Sequence, residues 1–398
     1  MLTERIKALS SEHFAAIVDI RHRIHRHPEL GDEEYATAKL IAEVLASLGI
    51  EARTGVAGTG VVGLIPGRGP GRTVLLRADM DALPIQEEVD VAFKSTVPGR
   101  MHACGHDGHV AGLLGAAMVL NQLRDAFDGN VKLVFQPAEE TDGGAARMIA
   151  EGVLERPKVD AAFGCHLWGQ VPEGKVHLCP GPMMASPTAF WFKIFAKGGH
   201  GAYPHLTADP ILLAAQAITF FQSIPSRRIN PLEPVVVTVS AIHGGEATNV
   251  IPEVVEGRGT IRTFNEALRD VIPMEMENIL KGITGAQGAT YSFESRKSYP
   301  PVINDPRMTG VARDAFAKVV GAENVDASGT PSMGAEDFGY FGKHVPSAFV
   351  FVGIGRNGVP MAHHQPHFQW EDKNLLVLTR GLAQMAVDFL ASTRPAAG

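Results

Sequence analysis

Three imidazoles, a thiol and a carboxylate stand within eight residues, His102-Ala103-Cys104-Gly105-His106-Asp107-Gly108-His109. A packing core has no use for that mixture, but a metal ion does. Cys104 offers a soft sulfur and His106 an imidazole nitrogen two residues on, and Gly105 and Gly108 let the backbone bend so that both reach one centre. The remaining donors must come from elsewhere: Glu140, His166 and one of His363, His364 or His367. Two ions about 3.5–4 Å apart could share such a set through a bridging group. Glu139 adjoins Glu140, and in an extended segment neighbouring side chains point opposite ways. One carboxylate can then hold metal while the other handles a proton. This is the chemistry of a metallohydrolase.

The elements that must position these residues alternate. The spacing predicts helices from Thr3 through Ile24, over Glu33 to Leu48, from Asp107 or Gly108 through Leu120, and over Gly144 to Glu151. Between them lie apolar runs that read as strands: Val61 to Ile65, Thr73 to Leu76, Val131 to Phe135 and Ala161 to Cys165. The alternation predicts an α/β domain with a mostly parallel sheet flanked by helices. Arg77 to Asp81, Gln136 to Glu140 and His166 to Trp168 each begin where an apolar run stops, and ligands of open α/β sheets gather at the carboxyl ends of strands. From Phe190 to Ser295 the pattern becomes β-α-β-β-α-β, with a helix over Asn265 to Ile283 broken near Pro273, which predicts an inserted ferredoxin-like α+β domain. The expected division is 1–183 for the first part of the catalytic domain, 184–298 for the insert and 299–398 for the second part.

At 398 residues, with 45% hydrophobic and 20% charged residues, the composition is that of a soluble globular protein. A formal net charge of -7 argues against nucleic acid as a partner. No apolar run reaches the roughly 20 residues that span a bilayer, and the first residues lack the apolar core of a signal peptide. Three cysteines (Cys104, Cys165, Cys179) make no disulfide framework. A reducing, cytoplasmic location is therefore expected.

Six motifs occur in order: Arg-Ala-Asp-Met-Asp-Ala-Leu-Pro at 77–84, the eight residues at 102–109, Gln-Pro-Ala-Glu-Glu at 136–140, Gly-Gly-His-Gly-Ala-Tyr-Pro-His at 198–205, Ala-Thr-Asn-Val-Ile-Pro at 247–252 and Gly-Ala-Glu-Asp-Phe at 334–338. In this the chain resembles the dinuclear metallo-amidohydrolases that include hippurate hydrolase, N-acyl-L-amino-acid amidohydrolase and the indole-3-acetyl-amino-acid hydrolases. Aminoacylase, carboxypeptidase G and succinyl-diaminopimelate desuccinylase are more distant relatives. The resemblance implies two divalent ions per subunit (zinc, manganese, cobalt or nickel) held by Cys104, His106, Glu140, His166 and His364, with Cys104 in the bridging position. His364 is chosen because His364-Gln365-Pro366-His367-Phe368 matches a His-x-Pro-x-aromatic pattern, with His363 as its competitor. Where distant relatives carry a His-x-Asp ligand pair this chain has Asp79-Met80-Asp81, and Asp81 is expected to orient a ligand.

The resemblance also implies an activity: hydrolysis of N-acyl-L-amino acids to a carboxylate and a free amino acid. A coordinated water has its pKa lowered toward ~7, and Glu139 acts as general base. His200 stabilises the oxyanion, often across a dimer in the family; Asn249 contacts substrate, and Arg262 clamps the substrate's α-carboxylate. A homodimer or higher homo-oligomer is expected. The competing activity is a dipeptidase or carboxypeptidase on the same machinery. A metal-dependent binding protein and a cysteine hydrolase with Cys104 as nucleophile are the readings of other classes. Plainer roles fit the rest: His102 and His109 as supporting or helix-face residues, His22, His25 and His27 as structural or exposed, and Cys165 and Cys179 as inert.

Overall fold

The computed structural model describes residues 2–356 and 360–392; Met1 and 393–398, at the outer ends of the expected catalytic segments, lie outside the described residues. Two compact units emerge: Met1–Met183 with Ile303–Thr330 and Asp337–Gly398, and Met184–Val302 with Pro331–Glu336. No described helix is long and apolar enough to cross a membrane.

The first unit is built on an eight-stranded sheet. Its strands β1 (Ala52–Val56), β2 (Gly60–Pro66), β3 (Thr73–Asp79), β4 (Asn130–Gln136) and β5 (Ala161–Pro172) stand in the order β1-β2-β4-β3-β5. Ser347–Gly355 follows β5, and the short strands Val176–His177 and Val325–Asp326 complete the far edge. The centre is parallel, from β4 through β3 and β5 to Ser347–Gly355, whereas β1, β2 and Val176–His177 pair antiparallel with their inner neighbours. The expected mostly parallel sheet is thus its core.

The central strands are buried on both faces, so β3 is buried at every residue and reads as a continuous apolar run until Arg77. β1 has mostly exposed residues, Ala-Arg-Thr-Gly-Val, and no apolar pattern announces it. Two expectations are corrected. The run expected over Ala161 to Cys165 continues to Pro172, so His166 lies inside β5. The helix expected to break at Pro273 runs unbroken over Leu268–Gly285, with Pro273 inside it; the buried face formed by Ile272, Met276 and Leu280 holds the helix together across the lost donor.

Helices cover the sheet. α1 (Leu2–Glu12), α2 (Phe14–Arg26) and α3 (Tyr35–Ser47) precede α4 (His106–Gln122), which is buried from His106 to Leu120 and apolar all round after its first turn. A Cβ on Gly112 of α4 would come within 2.5 Å of Leu378, so that glycine lets the helix Asn374–Ala391 lie against it. α2 buries Ile17, Ile20, Arg21, Ile24 and His25, one stripe at i, i+3, i+4, i+7 and i+8. Two of those five residues are ionisable, and they meet a partner: Asp107, in the first turn of α4, accepts from Arg21 Nε at 3.1 Å and His25 Nδ1 at 2.9 Å. His25 Nε2 lies 3.1 Å from Glu87 Oε1, and the Arg21 guanidinium rests 3.4 Å from the centre of the Trp370 ring.

The second unit carries an antiparallel sheet in the order Val235–His243, Val254–Thr263, Ser186–Phe195, Thr290–Lys297, the ferredoxin-like arrangement. Alternation in Ser186–Phe195 buries Phe190, Phe192 and Ile194 against helix Pro210–Phe221 (Leu213, Ala217, Phe221) and helix Leu268–Gly285 (Ile272, Met276, Leu280).

The His25 network makes stability depend on pH. Burial disfavours the His25 imidazolium, but the hydrogen bonds to Asp107 and Glu87 outweigh it and raise His25 to about 9. A group whose folded pKa lies above its unfolded value stabilises the fold below the unfolded value, ~6.5, and loses that contribution as pH rises through the folded one. Chelator-treated wild type should therefore exceed His25→Gln in unfolding free energy by on the order of 3 kcal/mol near pH 6, with the gap shrinking toward pH 9.5. Urea titrations across that interval measure it; a constant gap would refute the assignment.

Candidate metal centre

Four segments bring the donors of the first unit together; β5 supplies His166, and each of the other three turns on a residue with left-handed backbone. Gly105 (φ 96°) precedes α4, Ala138 (φ 55°) follows β4, and His364 (φ 58°) lies in the loop before the last helix. At a non-glycine residue that conformation costs roughly 1–2 kcal/mol, so it persists where other bonds hold it. Ala138 N–H donates to Glu34 Oε1 at 2.8 Å, and His364 N–H to Ala103 O at 2.9 Å. The second bond ties the loop bearing His363 and His364 to the segment bearing Cys104.

Cys104 lies at the centre. Its Sγ is 3.4 Å from His166 Nε2 and 3.9 Å from His363 Nδ1. Cys104, His106 and His166 form one group whose donor atoms lie within 4.8 Å of one another; Cys104, Glu140 and His364 form another, and His106, Glu139 and Glu140 a third. His364 Nε2 is 3.0 Å from Glu140 Oε1. His363 differs from His364: its Nε2 accepts from Gly169 N–H at 3.0 Å, which leaves only Nδ1 turned to the thiol.

Asp81 serves two neighbours. His106 Nδ1 lies 2.9 Å from Asp81 O and 3.2 Å from Asp81 Oδ1, while Glu140 N–H donates to Asp81 Oδ2 at 2.9 Å. The other ring nitrogen, His106 Nε2, is buried with no hydrogen-bond partner. A buried imidazole nitrogen left unpartnered among carboxylates and a thiol, in surroundings that favour positive charge, is one that a cation would satisfy.

The electrostatics point the same way. Burial, then Glu140, Glu139 and Asp79, push the Cys104 thiol well above its ordinary range. Burial opposes the His106 imidazolium, yet the charges and hydrogen bonds of Asp79, Asp81 and Glu140 raise it to about 10. A buried thiol facing carboxylates keeps its proton unless a cation offsets those charges. His166 is pushed well down by burial and by its neighbours His109 and His363, and burial with His364 lowers His363 to about 3, so both rings are neutral. His102 is buried with neither ring nitrogen hydrogen-bonded, and burial lowers it to about 4.

Beneath the donors is a network that the sequence reading missed. Arg77 is buried, donating through Nε to Gln136 Oε1 at 2.8 Å, through Nη1 to Asp79 Oδ2 at 2.6 Å and through Nη2 to Asp337 Oδ1 at 2.8 Å. Gln136 Nε2 and Ala145 N–H also donate to Asp337, and Asp337 N–H lies 3.4 Å from Glu139 Oε1. Burial would raise Asp79, but Arg77, His106 and His109 hold it well below the usual carboxylate range. The signal was present: Arg77 and Asp79 alternate with apolar neighbours, so one face of β3 carries both charges.

His200, Asn249 and Arg262 belong to the second unit. Strand Gly199–His200 pairs with Val250–Ile251, and Gly201 N–H donates to Asn249 O at 2.8 Å, so His200 and Asn249 are neighbours on an exposed ribbon. Arg262, in strand Val254–Thr263, is half-buried, and among the described residues its guanidinium has no hydrogen-bond or ion-pair partner.

The family model described as peptidase family M20/M25/M40 matches residues 75–388. The chain belongs to this family. As an M20 hydrolase it resembles the N-acyl-L-amino acid amidohydrolase of Geobacillus stearothermophilus, 47% identical over 315 residues, which span 78% of this chain and 85% of that protein. The thermostable carboxypeptidase 2 of Saccharolobus solfataricus is 41% identical over 98% of this chain and 99% of its own length. Among solved structures, the YXEP protein of Bacillus subtilis, a dinuclear metal binding peptidase, superposes with a TM-score of 0.82 at 35% identity, covering 96% of this chain and 99% of that one. The resemblance read from the six motifs is therefore to the right family.

Removing Arg77 tests the network under this M20 site. Arg77→Met keeps the stem but leaves Asp79 and Asp337 buried without their cation, which should cost about 3–5 kcal/mol. Urea unfolding of the metal-free protein measures it, and a loss under 1 kcal/mol would mean the guanidinium is not holding these carboxylates.

Proposed function

We propose that this protein hydrolyses the amide bond of N-acyl-L-amino acids, releasing a carboxylate and a free amino acid, at a centre of two divalent cations. One observation carries the reading: the Cys104 thiol is shared by two donor groups, Cys104–His106–His166 and Cys104–Glu140–His364, as a ligand between two ions must be. His106, Glu140, His166 and His364 complete the set, with Asp81 orienting His106 and Glu140. Zinc suits the thiolate; manganese, cobalt and nickel suit the imidazoles and carboxylate. When bound, the cations would supply Lewis acidity to the scissile carbonyl and acidify water.

The chain's own groups do the rest. Glu139 takes a proton from the attacking water and passes it to the leaving amine, a role suited to a buried carboxylate whose neighbour Glu140 is engaged as a donor. His200 donates to the developing oxyanion, from the partner subunit of a homodimer, and the neighbouring Asn249 contacts substrate. Arg262 holds the free α-carboxylate through its planar fork; its half-burial without a partner supports this. The segment 184–298 acts as lid and dimerisation domain. The likeness to N-acyl-L-amino acid amidohydrolase supports an acyl substrate. The likeness to thermostable carboxypeptidase 2 favours a second reading, removal of a C-terminal residue from short peptides by the same groups. Initial rates on N-acetyl- and N-benzoyl-amino acids against dipeptides decide between them.

Glu139→Gln should lose about 10²–10⁴-fold in kcat while keeping its metal content by plasma mass spectrometry. Loss of metal instead would exchange the roles of the two glutamates. His200→Ala should lose kcat with an unchanged unfolding midpoint. Mixing the two variants should restore activity, since one mixed site then carries both Glu139 and His200. No recovery after demonstrated subunit exchange would refute action across the dimer.

A further inference from the structure

We infer that His109 is a positioning residue: it orients His166 and bridges β3 and β5 beyond the end of their ladder, and it is not itself a metal ligand. The inference rests on the two-cation reading above. The parallel ladder between β3 and β5 pairs Val74 with Ala161, Leu75 with Ala162, Leu76 with Phe163 and Arg77 with Gly164, then stops. Both strands go on, β3 to Asp79 and β5 to Pro172. Beyond the last pair the backbone groups that face the gap need other partners, because both strands are buried there.

His109 enters that gap from the first turn of α4. Its Nδ1 is 2.5 Å from Asp79 Oδ1, and its Nε2 accepts from Leu167 N–H at 2.9 Å. A backbone N–H can only donate, so Nε2 carries the lone pair and Nδ1 the hydrogen, which goes to Asp79. Both nitrogens are spent. Although its nitrogen stands within 4.8 Å of donor atoms of Asp79 and His106, His109 has no electron pair left for a cation.

The contact to Leu167 reaches His166. His166 Nδ1 donates to Leu167 O at 2.8 Å, and the His109 and His166 rings are 4.6 Å apart. Residue 167 is thus gripped on both sides: its N–H by His109 and its C=O by His166. With Nδ1 so engaged, the His166 ring presents Nε2 to Cys104 Sγ. His109 fixes the peptide on which that ring leans.

The test uses metal binding rather than turnover alone. Full-length wild type, His109→Ala, His109→Gln and His109→Asn are stripped and titrated with zinc by equilibrium dialysis, and cobalt-loaded protein is followed by its thiolate charge-transfer and d–d bands. His109→Ala should weaken one binding constant about 10–100-fold and shift the d–d bands. His109→Gln, whose amide oxygen can reach Leu167 N–H, should recover more than His109→Asn, whose amide can reach only Asp79. Unchanged constants and spectra in both His109→Gln and His109→Ala overturn the inference, as does loss of one whole equivalent of metal that His109→Gln does not restore, which would make His109 a ligand. If His109→Ala does not fold, the Gln–Asn difference carries the test. Wild type taking up one ion overturns the two-cation reading alone, and the variants are then read against that single constant.

Discussion

Everything in the first unit depends on where the β3–β5 ladder ends. A parallel sheet closes its backbone hydrogen bonds strand by strand, and a polar site can open inside it only where two neighbours part. Here they part after Arg77 and Gly164, and Asp79 and His166 face the opening from either side. β4 delivers Gln136 and then Glu139 and Glu140 from the adjoining end. The antiparallel edge strands contribute none of the proposed donors; they complete the sheet that holds the parting in place.

The opening concentrates charge that burial alone would forbid. Asp79, Asp81, Glu139 and Asp337 are all buried, and Arg77 is the guanidinium set among them. A second network stands behind the first turn of α4, with Arg21 and His25 on Asp107. His106 and Asp107 are consecutive, so one helical step sends one side chain to the donors and the next to this rear network. Such networks gain little net stability over apolar packing, but removing one member strands the others. That makes geometry all-or-none, a useful property beneath groups that must stay within fractions of an ångström.

Much of this was legible in residue types. Cys104, His106, Glu139, Glu140, His166 and His364 stand out because thiols, imidazoles and paired carboxylates are rare together, and the structure gathers all six into one region of the first unit. The α/β alternation was legible because the central strands are apolar on both faces. What escaped were partners defined by three-dimensional contact alone. Arg77 and Asp337 are 260 residues apart, and no spacing rule links them. β1 escaped because an edge strand with exposed side chains has no periodicity to read. The continuation of β5 through His166 escaped because a polar residue inside a strand looks like its end.

The strand order has a further consequence, for synthesis. Ser347–Gly355 lies between β5 and Val176–His177, so the sheet cannot close until residue 355 has left the ribosome. The segment Met184–Val302, with its own core, emerges well before that and can fold while the first unit waits. A half-made chain carries Cys104, His106 and His166 but lacks the strand that borders His166 and the loop that carries His364. The proposed donor set is complete only once residue 364 has been made, so the two-cation centre is assembled after the core of the second unit.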